Sequence, residues 1–291
     1  MIVYLNGEFV PLSEARVSVL DRGFIFGDGV YEVMPVYAGR FFRLQERLQR
    51  LEKNLKNIKL PNPLTHQQWL ETLETLVARN KGGDQSVYLQ VTRGPAKRNH
   101  NFSDQVVPTV FIMSEPVPIQ PPPTGVKAIT CADIRWQRCD IKSIALLANV
   151  LLRQQAVEFG AAEAILIRDG YVMEGAASNV FIVSDGIALT PPKTQFISPG
   201  ITRDLILEAM HAAELPCREV DIPEAQLRSA EEIWVTGSVH GILPVITLDN
   251  TPVGLGQPGT VWSQVWQLYQ DSRWKDESHW DSHKLKPVGV K

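Results

Sequence analysis

Between Glu115 and Gly125 the chain reads EPVPIQPPPTG, the densest run of proline in the sequence. Its five prolines remove five backbone donors and favour extended conformations, so the segment is expected to be a stiff connector. It divides a 291-residue chain into two parts, 1–119 and 120–291, each long enough for a core of its own.

On either side of the connector, strands and helices do not alternate regularly. In the first half, Asn6-Gly7 between two apolar runs predicts a hairpin, and Tyr31 to Phe42 predicts two strands turning at Ala38-Gly39. Leu44, Leu48, Leu51, Leu55 and Ile58 recur at steps of four and three, the stripe of a half-buried helix. A second helix is expected over 67–79, and strands over 86–92 and 109–114.

The second half opens with a strand over 126–131. A helix is expected from Ser143, as N-cap, to Phe159, stopping at Gly160. Hairpins turning at Asp169-Gly170 and Asp185-Gly186 follow, then a helix after Pro199-Gly200 and a strand over 232–236. This order predicts an α+β protein rather than a doubly wound one. The tail from Asp271 is polar and without clear period, and is expected to be loosely ordered.

A net charge of -3 gives no electrostatic reason to bind nucleic acid or a membrane surface. The start, MIVYLNGE, lacks the basic and apolar regions of a signal peptide, and no apolar window approaches membrane-spanning length. Three cysteines without C-x-x-C spacing predict reduced thiols in a cytoplasmic protein and no zinc site.

Four places could carry chemistry. Lys142 (RCDIKSIALLANVLL) stands before the apolar helix expected at Ser143. The positive end of that helix's dipole, together with desolvation, would disfavour the ammonium and make a usable amine. Glu174 (VMEGAASNVF) is one carboxylate among small residues, which would let a flat ligand lie close. In SPGITRD, a glycine before a helix frees the first-turn N–H groups of Ile201 and Thr202 for a phosphate. The loop RGPAKRNHN puts Arg98 and His100 on one side if extended, a fork donor beside an imidazole that suits a carboxylate. Taken singly, each also reads as ordinary surface chemistry: a snorkelling lysine, a turn glutamate, a plain helix start, a solvated basic loop. The letters of GLGQPG at 254–259 imitate a dinucleotide fingerprint, but a proline interrupts them and no βαβ unit is in prospect.

An amine, an acid, a phosphate cradle and a carboxylate trap are the parts of a pyridoxal-phosphate enzyme acting on amino acids. The segments DRGFIFGDGVYEV, LQRL, VTRGPAKRNH, DIRWQRCDIKS, EGAASNVF, SPGITRD and WVTGSVHGILPV occur in this order. Together they resemble the fold-type IV (class IV) aminotransferases, and among these the branch that converts D-amino acids.

The resemblance implies a smaller N-terminal α/β sandwich domain and a C-terminal pseudo-barrel, with pyridoxal 5'-phosphate at their interface. Lys142 then matches the Schiff-base lysine, and Glu174 the acid facing the pyridine nitrogen. Arg50, Ile201, Thr202 and Ser238 match the groups that hold the phosphate. Tyr31, Arg98 and His100 match the trap for the substrate carboxylate, the last two reaching in from the neighbouring subunit of a homodimer. The implied reaction moves an amino group between a D-amino acid and a 2-oxo acid, 2-oxoglutarate or pyruvate, with ping-pong kinetics. Alternatives on the same fold are a branched-chain L-amino-acid aminotransferase and an aminodeoxychorismate lyase. A non-catalytic binding protein or a dinucleotide oxidoreductase is the alternative outside it. Ala176 and Ala177 depart from the pattern, standing where the D-type branch often has serines.

Overall fold

A computed structural model describes residues 1–103, 107–117 and 122–275. The first half carries one antiparallel sheet: β1 (Ile2–Leu5), β2 (Glu8–Pro11), β3 (Gly29–Tyr37), β4 (Arg40–Phe41), β5 (Gln85–Thr92) and β6 (Thr109–Pro116), in the order β2-β1-β6-β5-β3-β4. Asn6 and Gly7 turn the first hairpin with φ of 50° and 104°, the left-handed pair that matches strand twist. Short α1 (Arg22–Phe26) precedes β3, while α2 (Leu44–Asn57) and α3 (His66–Arg79) cover the sheet. Leu48, Leu51 and Leu55 of α2 pack with Leu73 and Leu76 of α3 on Met34, Val87 and Leu89 of the strands. Thr65 and Gln68 form a reciprocal capping box that starts α3. One helical layer on one sheet is the expected sandwich.

The second half builds a nine-stranded mixed sheet. Its elements are β7 (Val126–Ala132), α4 (Leu147–Glu158), β8 (Glu163–Arg168), β9 (Tyr171–Gly175), β10 (Asn179–Ser184), β11 (Ile187–Thr190), α5 (Ile201–Ala212), β12 (Cys217–Glu219), α6 (Glu224–Arg228), β13 (Glu232–Gly237), β14 (Gly241–Leu248), β15 (Thr251–Pro252) and α7 (Thr260–Lys275). The order is β12-β11-β10-β13-β14-β7-β8-β9, with β15 on β14. Edge strand β9 runs within three residues into β10, near the opposite edge, and the Gly175 N–H donates to Ser178 O at 2.7 Å. Only a sheet curled on itself allows that step, so the pseudo-barrel is present. Apolar side chains of α5, β13 and α7, among them Ile206, Trp234 and Trp262, share one core.

Two expectations are corrected. The helix expected from Ser143 begins at Leu147, with Leu146 as N-cap and no side-chain cap. Residues 143 and 144 pair with β3 instead: Ser143 bridges Val30, and Ile144 N donates to Gly29 O at 3.1 Å. Hydrogen bonds to β3 outcompete the local helical signal there. Asp271 to Lys275, expected to be loose tail, continue α7. The division expected between 119 and 120 lies outside the described residues, as does the tail from 276. GLGQPG follows antiparallel β15 as a turn, with Gly254 and Gly256 at positive φ, not as a nucleotide-binding loop.

Candidate active site

Lys142 sits where the two halves meet, and both faces of its peptide are held. Its N–H donates to Asn54 Oδ1 of α2 at 3.3 Å, and its carbonyl accepts from Tyr31 N of β3 at 3.0 Å. The side chain turns into a cavity and passes over the Tyr31 ring, with Nζ 4.1 Å from the centroid. Four residues separate it from the start of α4, so it does not directly precede that helix as expected.

Glu174, at the end of β9, lines the same cavity and is 4% exposed. Its carboxylate accepts from Arg135 Nη1, from Asn179 Nδ2 at 3.0 Å and from Ser198 N at 3.0 Å. Burial pushes the carboxyl up to about 7 against the pull of Arg135, the Ser198 N–H and the Lys142 charge. The acid therefore balances near neutrality between holding and releasing a proton. Arg135 is itself braced by the buried carboxylate of Asp133 at 2.9 Å.

Gly175, Ala176 and Ala177 all line the cavity, where small side chains leave room for a flat ligand as expected, and packing behind them adds a second reason for their size. A Cβ on Gly175 would lie 2.2 Å from Ser178 Oγ, which donates to buried Glu163 at 2.7 Å. Ala176 packs with Leu152 and Ala156 of α4, where a hydroxyl would be buried among apolar groups. Gly200 likewise leaves room for Asn179, whose Oδ1 would stand 1.9 Å from an added Cβ.

One corner of the cavity is built for an anion. Ile201 and Thr202 open α5, and first-turn N–H groups have no acceptor in their own helix. Arg50, also in the wall, forms a bidentate pair with Glu32, both bonds 2.8 Å, and donates to Pro199 O at 2.8 Å. Burial lowers its guanidinium, but the Glu32 charge and hydrogen bond outweigh that and raise it. Ser238 accepts from fully buried Arg47 at 2.9 Å. Thr236 Oγ1 is buried in the wall without a hydrogen-bond partner. Two guanidiniums against one carboxylate leave a net positive charge, and the orphan hydroxyl and helix N–H groups lack partners. A phosphate group fits both the charge and the hydrogen-bonding need.

Arg98 and His100 are not in this cavity. Both are exposed, flanking the Phe26 ring with the Arg98 guanidinium 5.5 Å and the His100 ring 5.4 Å from its centroid. One chain thus assembles Lys142, Glu174, Tyr31, Arg50, Ile201, Thr202 and Ser238, and leaves the Arg98–His100 pair outside. No group of His, Cys, Asp and Glu able to hold a metal ion occurs among the described residues.

Sequence reading missed Glu32, Arg47, Arg135, Asn179 and Thr236. Arg135 and Asn179 lie inside two of the segments that carried the resemblance, so a charged residue and an amide beside a candidate acid were a usable signal. Nothing local marks Arg47, one of several charged residues on α2, as fully buried.

The sequence profile of the class IV aminotransferases ("Amino-transferase class IV") matches residues 29–248. A D-alanine aminotransferase of Bacillus licheniformis is 39% identical, over 94% of this chain and 97% of its own length. One of Staphylococcus epidermidis is 39% identical over 92% and 96%. Among solved structures, the branched-chain amino acid aminotransferase of Escherichia coli superposes with a TM-score of 0.85 at 26% identity, covering 91% of this chain and 92% of that one. The branched-chain aminotransferase of the archaeon Thermoproteus uzoniensis, solved with norvaline, gives 0.86 at 26% identity over 95% and 96%.

Proposed function

We propose, from the premise that the chain belongs to the class IV aminotransferases, that it transfers an amino group between a D-amino acid and a 2-oxo acid using pyridoxal 5'-phosphate. The observation that carries this is the joint placement of Lys142, buried Glu174 and the anion corner in the wall of one cavity. The orphan Thr236 hydroxyl and the free N–H groups of α5 give the cofactor's phosphate its fit.

Bound there, the cofactor supplies an aldehyde that condenses with amines and a ring that accepts electrons from the substrate's α-carbon. The phosphate is held by Arg50, the N–H groups of Ile201 and Thr202, and the Ser238 hydroxyl. Glu174 faces the ring nitrogen and keeps a proton there; the three donors on its carboxylate, Arg135, Asn179 and Ser198, fix its aim. Lys142 would hold the aldehyde end of the group, and its free amine would be the base that moves a proton at the substrate's α-carbon. The clamp on its peptide by Asn54 and Tyr31 keeps the swing of its side chain over one face.

The substrate carboxylate is gripped by Tyr31 together with Arg98 and His100 of a second copy. Apolar surface supports such a dimer: Leu147, Val150 and Leu151 of α4 and nearby Trp136 are each at least half exposed. A fork donor and an imidazole suit a carboxylate, and the D-alanine aminotransferases at 38–39% identity support D-substrates. A cytoplasmic location belongs to the same reading, since the three thiols are free.

The competing reading is a branched-chain L-amino acid substrate, which the solved neighbours favour. Initial rates for D-alanine and L-leucine, each with 2-oxoglutarate, separate them: D-alanine is expected to turn over faster, and faster L-leucine turnover overturns the D assignment. Protein that stays colourless with added pyridoxal phosphate would overturn the enzyme reading altogether.

A further inference from the structure

The loop bearing Arg98 and His100 is exposed, yet its backbone is not free. Arg22, the arginine of α1, is 4% exposed, and its guanidinium reaches under the loop. Nη1 donates to Asn99 O and, at 3.4 Å, to Asn101 O, while Nη2 donates to His100 O at 3.4 Å. Nε is spent on Asp28 at 2.8 Å. Asp28 in turn takes a bidentate pair from buried Arg93, at 2.8 and 3.0 Å, and Arg93 also donates to Ile58 O and Lys59 O just past α2. Arg22 lies 4.8 Å from the Phe26 centroid, the ring that Arg98 and His100 flank.

One planar cation thus ties three successive loop carbonyls to a half-buried carboxylate. Asp28 directly precedes β3, whose first residues Gly29 and Tyr31 pair with Ile144 and Lys142. The catalytic lysine and the loop are therefore referenced to the same strand start. A lysine in place of Arg22 would carry the charge but not the fork, and could not hold Asp28 and the carbonyls together.

We propose that Arg22 is a positioning residue for substrate-carboxylate recognition: it sets the backbone of 99–101, and through it the Arg98 and His100 side chains, without touching substrate. This rests on the reading of Arg98 and His100 as the carboxylate grip, and it adds a residue whose own contacts are all with protein. Losing it leaves the cofactor pocket intact and loosens the grip. A misplacement of about 1 Å costs up to about 100-fold.

The test uses the cofactor-loaded enzyme and compares Arg22→Gln, Arg22→Lys and Arg98→Ala. Two substrates are followed: D-alanine in steady state, and n-propylamine, which has no carboxylate, in single turnover read from the cofactor absorbance. For both Arg22 variants, KM for D-alanine is expected to rise about 10- to 100-fold with a smaller change in kcat. The propylamine rate and the resting absorbance band are expected to stay within twofold of the parent. Arg22→Lys keeps the charge beside Asp28, which guards against a variant that merely fails to fold. Equal losses on both substrates, or no loss on either, overturn the proposal. If Arg98→Ala raises KM selectively and the Arg22 variants do not, the positioning role alone is wrong. If Arg98→Ala has no selective effect, the grip itself is misassigned and this inference falls with it.

Discussion

The Lys142 cavity and the Arg98–His100 loop are both built on buried charge, but they end differently. Around the cavity, Arg135, Arg50 and Asn179 are paired within the chain, while the Thr236 hydroxyl and the first N–H groups of α5 are left for a ligand. Beneath the loop, buried Arg22 and Arg93 meet on half-buried Asp28, yet the side chains the loop presents are exposed. The first region is complete for chemistry on an amine. The second is tied down at its base and exposed at its tip. On the proposed reading the first region carries catalysis and the second recognition, and each prediction below loads one side of that division.

The largest effect is expected at Lys142. Lys142→Ala removes both the anchor and the proton carrier, and kcat should fall at least ~10⁴-fold. Borohydride should no longer fix the cofactor to the chain. Retention of more than a hundredth of parent activity would mean that another group moves the proton. Next is Glu174→Gln, which keeps the shape but cannot hold the ring-nitrogen proton; kcat should drop ~10²- to 10³-fold while the absorbance still reports bound cofactor. Cofactor loss in place of slowed chemistry would make Glu174 a binding group only.

On the recognition side, Arg98→Ala should cost ~10²-fold in kcat/KM for D-alanine. Mixing it with inactive Lys142→Ala tests the division directly. If loop and lysine come from different copies, unfolding and refolding the two inactive proteins together creates mixed dimers with one intact site. Up to half of the parent activity per mixed dimer should return. No recovery, with mixed dimers demonstrated by mass, places loop and lysine in the same chain and breaks the comparison.

Sequence patterns carried the scaffold well where a local rule decides it. The Asn6-Gly7 turn, the leucine stripe of α2 and the start of β6 follow from periods and turn residues within a few positions, whereas β6 runs on through Glu115 and Pro116, two residues into the expected connector, because β5 pairs with them. The start of α4 was illegible because Ser143 and Ile144 answer to Gly29 and Val30, more than a hundred residues earlier. The site divides in the same way. Lys142 and Glu174 could be picked out by residue type and spacing, with their roles coming from the resemblance. The groups that tune them, Arg135 on Glu174 and Asn54 on Lys142, act across 39 and 88 residues. Arg22 illustrates the limit: within DRGFIF it is indistinguishable from a surface arginine until the fold brings residues 99–101 over it.

The smallest effect is in the pH dependence of stability, where the two regions should carry opposite signs. In the cofactor-free protein, burial holds the Glu174 carboxyl at about 7, above its value in an unfolded chain. Between about 4.5 and 7 the native state keeps a proton that the unfolded state has released, so this residue's contribution falls as pH rises through that window. Asp28 behaves in reverse: burial pushes its carboxyl up, but the hydrogen bonds and charges of Arg93 and Arg22 outweigh it and hold it below the usual range. Its stabilisation is present above about pH 4 and lost as pH falls through the lower, native value. Urea unfolding of cofactor-free protein at pH 3.5, 5 and 7.5 can read both. Relative to the parent, Glu174→Gln should be less stable at pH 5 than at 7.5, because the parent alone loses stability between them. Asp28→Asn should show its largest deficit at pH 5 and above, narrowing at 3.5. Added pyridoxal phosphate should flatten the Glu174 slope, since a protonated ring nitrogen opposite the carboxylate keeps it ionised across the range. A slope that survives cofactor binding would mean that the ring does not face Glu174.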